Sequence, residues 1–209
     1  MEELILNIET DDGGKLRIIK MSEDIEYLIK EIKNFNDYLE EFHEIKTNKR
    51  KLEFLNVRLG LNKMFEKELI VRYNANGKPF VEAEFSNISI SHSGNLIALY
   101  SHPTLHSGVD VEKISSKALR VCNKFLTEEE QSEIGCENPE LNYLLAWSAK
   151  EALYKIIGID AVDFREQLKI FAFGNEHEGK MKLLHIPSGQ LYYPEFKIYN
   201  EFVVVFCNG

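Results

Sequence analysis

Gly108-Val-Asp-Val-Glu-Lys-Ile114, taken with Trp147-Ser-Ala-Lys-Glu-Ala-Leu-Tyr-Lys155, decides how this chain is read. In a strand, residues two apart share a face, so Asp110 and Glu112 point one way and Val109 and Val111 the other. The second stretch reads as helix, with Glu151 and Lys155 one turn apart, Trp147 a turn earlier and Lys150 on the flank. Taken alone, Glu151 and Lys155 also form the ordinary helix-stabilising i,i+4 pair, worth about 0.2–0.5 kcal/mol. If the two segments meet, three acids and two lysines converge. Three carboxylates together repel unless a hard divalent cation sits among them, and Mg2+ accepts a few carboxylates while leaving positions for water and phosphate. Lysines beside it would neutralise the remaining phosphate oxygens, which points to phosphoryl-type transfer.

Composition sets the outer limits. The 209 residues fit one large domain or two small ones, with 44% hydrophobic and 28% charged residues, as in an ordinary soluble protein. A formal net charge of −9 argues against nucleic acid as partner. No apolar run reaches the ~20 residues of a membrane span, and the Met-Glu-Glu opening is unlike a signal peptide, so a cytoplasmic protein is expected. Cys122, Cys136 and Cys207 lack metal-ligand spacing and read as reduced thiols.

Along the chain, Leu4 to Ile8 and Leu16 to Ile19 flank Asp11-Asp-Gly-Gly14 as a hairpin, and Ser22 precedes an amphipathic helix as its N-cap. Arg50 to Phe65 reads as a helix with Leu52, Leu55 and Leu59 on one side and Arg58 on the polar remainder. A strand from Leu69 to Tyr73 enters the turn Asn74-Ala-Asn-Gly-Lys-Pro79, and Asn87 to Ile90 is a strand ending in the turn Ser91-His-Ser-Gly94. Thr127 and Glu130 form a capping box. Asn138-Pro139 opens the long helix carrying Trp147 to Lys155, and Gly158 stops it. Short strands follow: 169–173, 180–185, 190–193 and 202–206. The order of strand, helix and strands occurs twice, dividing near His102.

Four blocks in order carry a resemblance: Asn76-Gly-Lys-Pro79, Ile88-Ser-Ile-Ser-His-Ser-Gly94, Gly108-Val-Asp-Val-Glu112 and Trp147-Ser-Ala-Lys-Glu-Ala-Leu-Tyr-Lys155. Together they are similar to the motifs of the 4'-phosphopantetheinyl transferases, and about a hundred residues before the Asp motif resemble the double-length, surfactin-synthetase-activating type. The resemblance covers about Arg50 to Lys155. It implies an α+β fold of two similar halves related by a pseudo-twofold, each a small mostly antiparallel sheet packed with a long helix, divided as 1–102 and 103–209, with the ligand between them. It implies transfer of the 4'-phosphopantetheine arm from coenzyme A, as co-substrate, to a serine of an apo acyl or peptidyl carrier protein, releasing adenosine 3',5'-bisphosphate in a Mg2+-dependent monomer. The alternative is a non-catalytic coenzyme A binder of the same fold.

Carried over residue by residue, the resemblance implies that Asp110, Glu112 and Glu151 hold Mg2+, and that Lys150 and Lys155 meet coenzyme A and stabilise developing charge. Arg50, Gly77, Lys78, Pro79, Ser91, His92 and Ser93 would contact the nucleotide end, with Lys49 able to stand in Arg50's place. The serine proton would go to Glu151, to a metal-bound water or to Glu130, and the sequence does not choose.

Overall fold

The computed structural model describes residues 3–74, 77–81, 87–135, 137–158, 162–174 and 176–209. Asn76 of the Asn-Gly turn and Cys136 therefore lie outside the described residues. The chain forms two compact units, Met1–Thr104 and Leu105–Gly209. Each combines helices with antiparallel strands, an α+β construction.

In the first unit, β1 (Glu3–Glu9) and β2 (Lys15–Lys20) form the expected hairpin, its loop closed by Gly13 at φ +89°. With β6 (Leu96–Ser101) and β5 (Ile88–Ser93) they make an antiparallel sheet in the order β1-β2-β6-β5. Helix α1 (Ile25–Glu31) is capped by Asp24, not Ser22. Ser22 is buried, and its backbone N–H donates to Asn56 Oδ1 at 2.8 Å. A 3-10 turn (Phe35–Tyr38) and α2 (Leu39–Glu44) lead to α3 (Asn48–Phe65).

Helix α3 is buried on two sides, and this corrects the one-sided stripe expected from sequence. Val57, Leu61 and Met64 pack with sheet residues Ile19, Ile97 and Leu99, while Leu55 and Leu59 pack with Leu28, Tyr38 and Phe42. Arg58, expected on the solvated side, is fully buried. Its guanidinium lies 3.2 Å from the Phe54 ring centroid and 4.4 Å from that of Tyr38, and it donates to Glu41 Oε2 at 2.9 Å. A buried cation is tolerable only with such aromatic faces and acceptors around it.

The short hairpin of β3 (Val71–Tyr73) and β4 (Pro79–Val81) pairs Tyr73 with Pro79. Asn74 closes its loop from both sides: its N–H donates to the Lys78 carbonyl, and its Oδ1 accepts from the Lys78 N–H at 2.9 Å. Gly77 sits at φ +73°, the left-handed conformation that glycine adopts freely.

In the second unit, β7 (Ser107–Lys113), β13 (Phe202–Asn208), β12 (Glu195–Ile198) and β9 (Glu178–Lys180) form one antiparallel sheet, ordered β7-β13-β12-β9. A second sheet, β11-β10-β8, contains Gln190–Tyr192, Leu183–His185 and Leu168–Ile170. The single strand expected over 180–185 is thus two strands in two sheets, parted where the Met181 N–H donates to the Pro194 carbonyl. Strand β12 had no counterpart in the sequence reading.

Between β7 and β8 lie α4 (Lys117–Val121), a 3-10 turn (Cys122–Lys124), α5 (Glu128–Ile134) and α6 (Pro139–Ile157). Helix α6 is capped by Asn138, whose side chain accepts from the Leu141 N–H, and ends at Gly158 in left-handed conformation. Its buried stripe of Leu145, Ala149, Ala152, Leu153 and Ile156 packs with Val203, Val205 and Phe196 in one core.

Candidate active site

In β7 the antiparallel register sets Asp110 opposite Val205 and Glu112 opposite Val203. Opposed residues share a face, and Val203 and Val205 belong to the core of α6, so this is the face that α6 covers. Gly108 lies on the same face. A Cβ there would stand 2.0 Å from the Ala152 carbonyl oxygen, which is why strand and helix can approach only at a glycine. The close approach brings the acids of β7 to the side chains of α6.

Lys155 crosses that seam. Its ammonium donates to the Val109 carbonyl at 2.7 Å and to Asp110 Oδ1 at 3.2 Å. It thus serves the strand, beyond the i,i+4 relation to Glu151 that its spacing suggests. Asp110 is buried, and Glu112 and Glu151 are half-buried. Burial pushes the Glu151 carboxyl above its usual range; the negative charges of Asp110 and Glu112 push it the same way, and Lys155 opposes. The three acids therefore share one electrostatic field. Among the described residues, however, no three His, Cys, Asp or Glu side chains are gathered into a set that would hold a metal ion as they stand. Like charges part, and Asp110 turns to Lys155.

The remaining two residues expected at this centre are found elsewhere. Lys150 is fully buried and donates to the Phe125 carbonyl at 2.7 Å, Glu130 Oε1 at 2.8 Å and the Phe164 carbonyl at 3.0 Å. All three protons of the ammonium are used, leaving none for a phosphate. Glu130 is equally committed: Oε1 also accepts from the Ile170 N–H at 2.8 Å, and Oε2 accepts from the Thr127 N–H at 2.7 Å, completing the capping box. Both were expected to face the ligand; in the structure they form a buried ion pair in the core, and neither lines either cavity.

Beside Glu112 and Glu151 opens a cavity of about 670 Å³, walled by Phe125, Trp147, Tyr154 and Phe164 with Lys117 and Lys124 also lining it. The Trp147 ring meets Phe125 edge-on at 5.1 Å and Phe164 tilted at 5.6 Å. A cavity of this size, apolar with a few charges, suits an organic ligand.

The first unit has its own cavity, of about 640 Å³, and Arg50, Gly77, Pro79 and His92 all line it. Ile90 and His92, two apart on β5, face it together. The block from Ser91 to Ser93 is strand and not turn, so alternation turns Ser91 and Ser93 to the opposite face, where Ser91 is buried. Neither they nor Lys78 are among the residues lining this cavity, although burial lowers the Lys78 ammonium from its usual range. Sequence reasoning missed Glu53. This buried carboxylate accepts from Arg50 at 2.6 Å and lies 3.9 Å from Lys49 and 3.8 Å from His92 Nε2. Its spacing from Lys49 and Arg50, four and three residues, was the available signal. Of the two basic candidates, Arg50 lines the cavity.

Among the described residues no helix is long and apolar enough to cross a membrane. No curated protein matches the chain. Residues 107–207, which contain Asp110, Glu112, Glu151 and Lys155, match the family model of the 4'-phosphopantetheinyl transferase superfamily, and that match implies a transferase of the phosphopantetheinyl kind.

Proposed function

We propose that this protein transfers the 4'-phosphopantetheine arm of coenzyme A to a serine of an apo acyl or peptidyl carrier protein, as a double-length member of that superfamily. The observation that carries the proposal is the seam of β7 and α6, which sets three carboxylates in one field inside the span that matches the family. Their oxygen-only donor set and surplus of negative charge fit Mg2+, with Asp110, Glu112 and Glu151 as the residues that would hold it. When bound, the ion would neutralise the pyrophosphate and ease departure of adenosine 3',5'-bisphosphate.

The chain's own groups account for the rest. Lys155 has spent two N–H groups on β7 and keeps a third for a phosphate oxygen. The carrier serine oxygen bonds to the phosphorus of the arm as the bond from that phosphorus to the nucleotide-side oxygen breaks, and the serine proton leaves. With Glu130 committed to Lys150, Thr127 and Ile170, Glu151 or a water beside it is the group that would receive it. In the first unit, Arg50 and His92 provide cationic and donor groups for a nucleotide phosphate, and Gly77 and Pro79 line the same cavity.

The test is mass spectrometry of several apo carrier proteins incubated with purified protein, coenzyme A and Mg2+. Gain of the phosphopantetheine mass at the carrier serine is expected, with loss of the gain in Glu151→Gln and Asp110→Asn. Carriers left unchanged, with coenzyme A bound indifferently to Mg2+ and to those substitutions, would instead support a non-catalytic binder.

A further inference from the structure

The buried pair of Lys150 and Glu130 has a geometry that a simple core ion pair does not require. Two of the three groups that Lys150 Nζ contacts are main-chain carbonyls, those of Phe125 and Phe164. They belong to segments 39 residues apart in sequence, and the side chains of both residues wall the cavity beside Glu151. Phe125 follows the 3-10 turn Cys122–Lys124, and Phe164 lies in the loop leading to β8. Trp147 stands between the two rings, one helical turn before Lys150 on α6. A single ammonium on the helix thus ties down both aromatic walls, and Glu130, anchored to β8 through the Ile170 N–H, holds that ammonium in place.

We propose that Lys150 is a positioning residue that fixes the separation of the Phe125 and Phe164 walls and so sets the size of the apolar group the cavity beside Glu151 admits. Hydrophobic side chains in the place of the pair would fill the same core. They would not grip two carbonyls at once, and with those carbonyls released each wall would keep its local hydrogen bonds and packing but lose the ammonium that joins it to the other. The inference takes this cavity as part of the transferase site proposed above, yet it concerns the shape of the cavity and can be tested without coenzyme A or a carrier.

The chain has one tryptophan, and Trp147 lies in the cavity wall, so its fluorescence reports on this cavity alone. The probes are 8-anilinonaphthalene-1-sulfonate and its larger dimer, bis-ANS, read by energy transfer from Trp147. The variants are Lys150→Met/Glu130→Gln and Lys150→Met/Glu130→Met, which remove both charges together so that none is left unpaired in the core. The expected result is a cooperatively unfolding double variant in which the affinity ratio of the dimer to the monomer rises at least fivefold and acrylamide quenches Trp147 more strongly. A folded double variant with the ratio and the quenching of the native chain overturns the proposal, because a merely structural pair would lower the unfolding midpoint and nothing else. Failure of both double variants to fold also overturns it, since Lys150 would then be indispensable to the core and not a device for spacing two walls. Transfer activity could be absent while these optical results hold, and the reverse, so this inference and the transferase assignment fail separately.

Discussion

Replacing Gly108 with alanine would drive a methyl group into the backbone of α6 at the candidate site. The added Cβ would stand 2.0 Å from the Ala152 carbonyl oxygen, 2.8 Å from its carbonyl carbon and 3.0 Å from Ile156 Cγ1. Relief requires strand and helix to part by about 1 Å or more, since carbon and oxygen atoms at rest keep to roughly 3.3 Å or beyond. Overpacking a core costs ~1–3 kcal/mol where side chains can yield. The yielding atoms here are the backbone of α6, tied by its own hydrogen bonds, so the cost falls at or above ~3 kcal/mol.

Urea unfolding followed by Trp147 fluorescence is the matching assay, because Trp147 and Gly108 lie in the same unit. With a slope near ~1.5 kcal/mol/M the midpoint should fall by about 2 M. A shift of the β7–α6 seam also separates Asp110 and Glu112 from Glu151, so carrier modification should fall by tenfold or more even where the variant is fully folded. A Gly108→Ala protein that stays within about 0.5 kcal/mol of the native midpoint and keeps its activity would refute the reasoning that close approach requires glycine here.

Other perturbations follow from single contacts. Because the native Glu151 carboxyl holds its proton to higher pH than the unfolded one, whose value is near 4.5, the native state binds more protons in the window above that value. Stability without Mg2+ should therefore fall as pH rises across the window, and Glu151→Gln should flatten the slope of urea midpoint against pH; the same slope in both proteins would contradict it. Burial pushes the Cys207 thiol up to about 12, so at pH 8 only about one molecule in ten thousand carries the thiolate. Peptide mapping after iodoacetamide treatment should find Cys207 unlabelled until urea unfolds the chain, while the half-buried Cys122 labels in the native state. Arg58→Met should destabilise the first unit by ~1–3 kcal/mol through loss of its aromatic and carbonyl contacts, read by hydrogen exchange because that unit has no tryptophan.

What could be read from the sequence was what local chemistry encodes. The caps of α6 at Asn138 and Gly158, the Thr127 to Glu130 box and the alternation of Asp110 and Glu112 along β7 depend on neighbours a few residues away, and each stands as expected. The errors lie where distant partners override local pattern. Arg58 reads as a surface cation until Tyr38 and Glu41, 20 and 17 residues away, surround it. Lys150 and Glu130 each sit in a motif that suggests catalysis, and only the fold reveals that they are 2.8 Å apart in the core. Ser91, His92 and Ser93 read alike from sequence as small donor groups in one block, but pairing of Ser91 with Ala98 extends β5 through it and sends its side chain away from that of His92.

The seam of β7 and α6 also argues for function by what it would be if it were only structural. A strand packed on a helix is held best by Val and Ile, and the opposite face of β7 has Val109 and Val111, both fully buried. The face toward α6 instead carries Gly108, Asp110 and Glu112. Lys155 answers a backbone carbonyl and Asp110, and Glu151 faces both Asp110 and Glu112. Burying acids beside one another opposes folding, since desolvation and mutual repulsion both disfavour the charged forms. The acids outnumber the ammonium that bonds directly to the strand, and a divalent cation would offset the excess. Carboxylates set against one another where helix and strand are tightly joined oppose core stability, and this is the pattern expected if the proposed transfer takes place there.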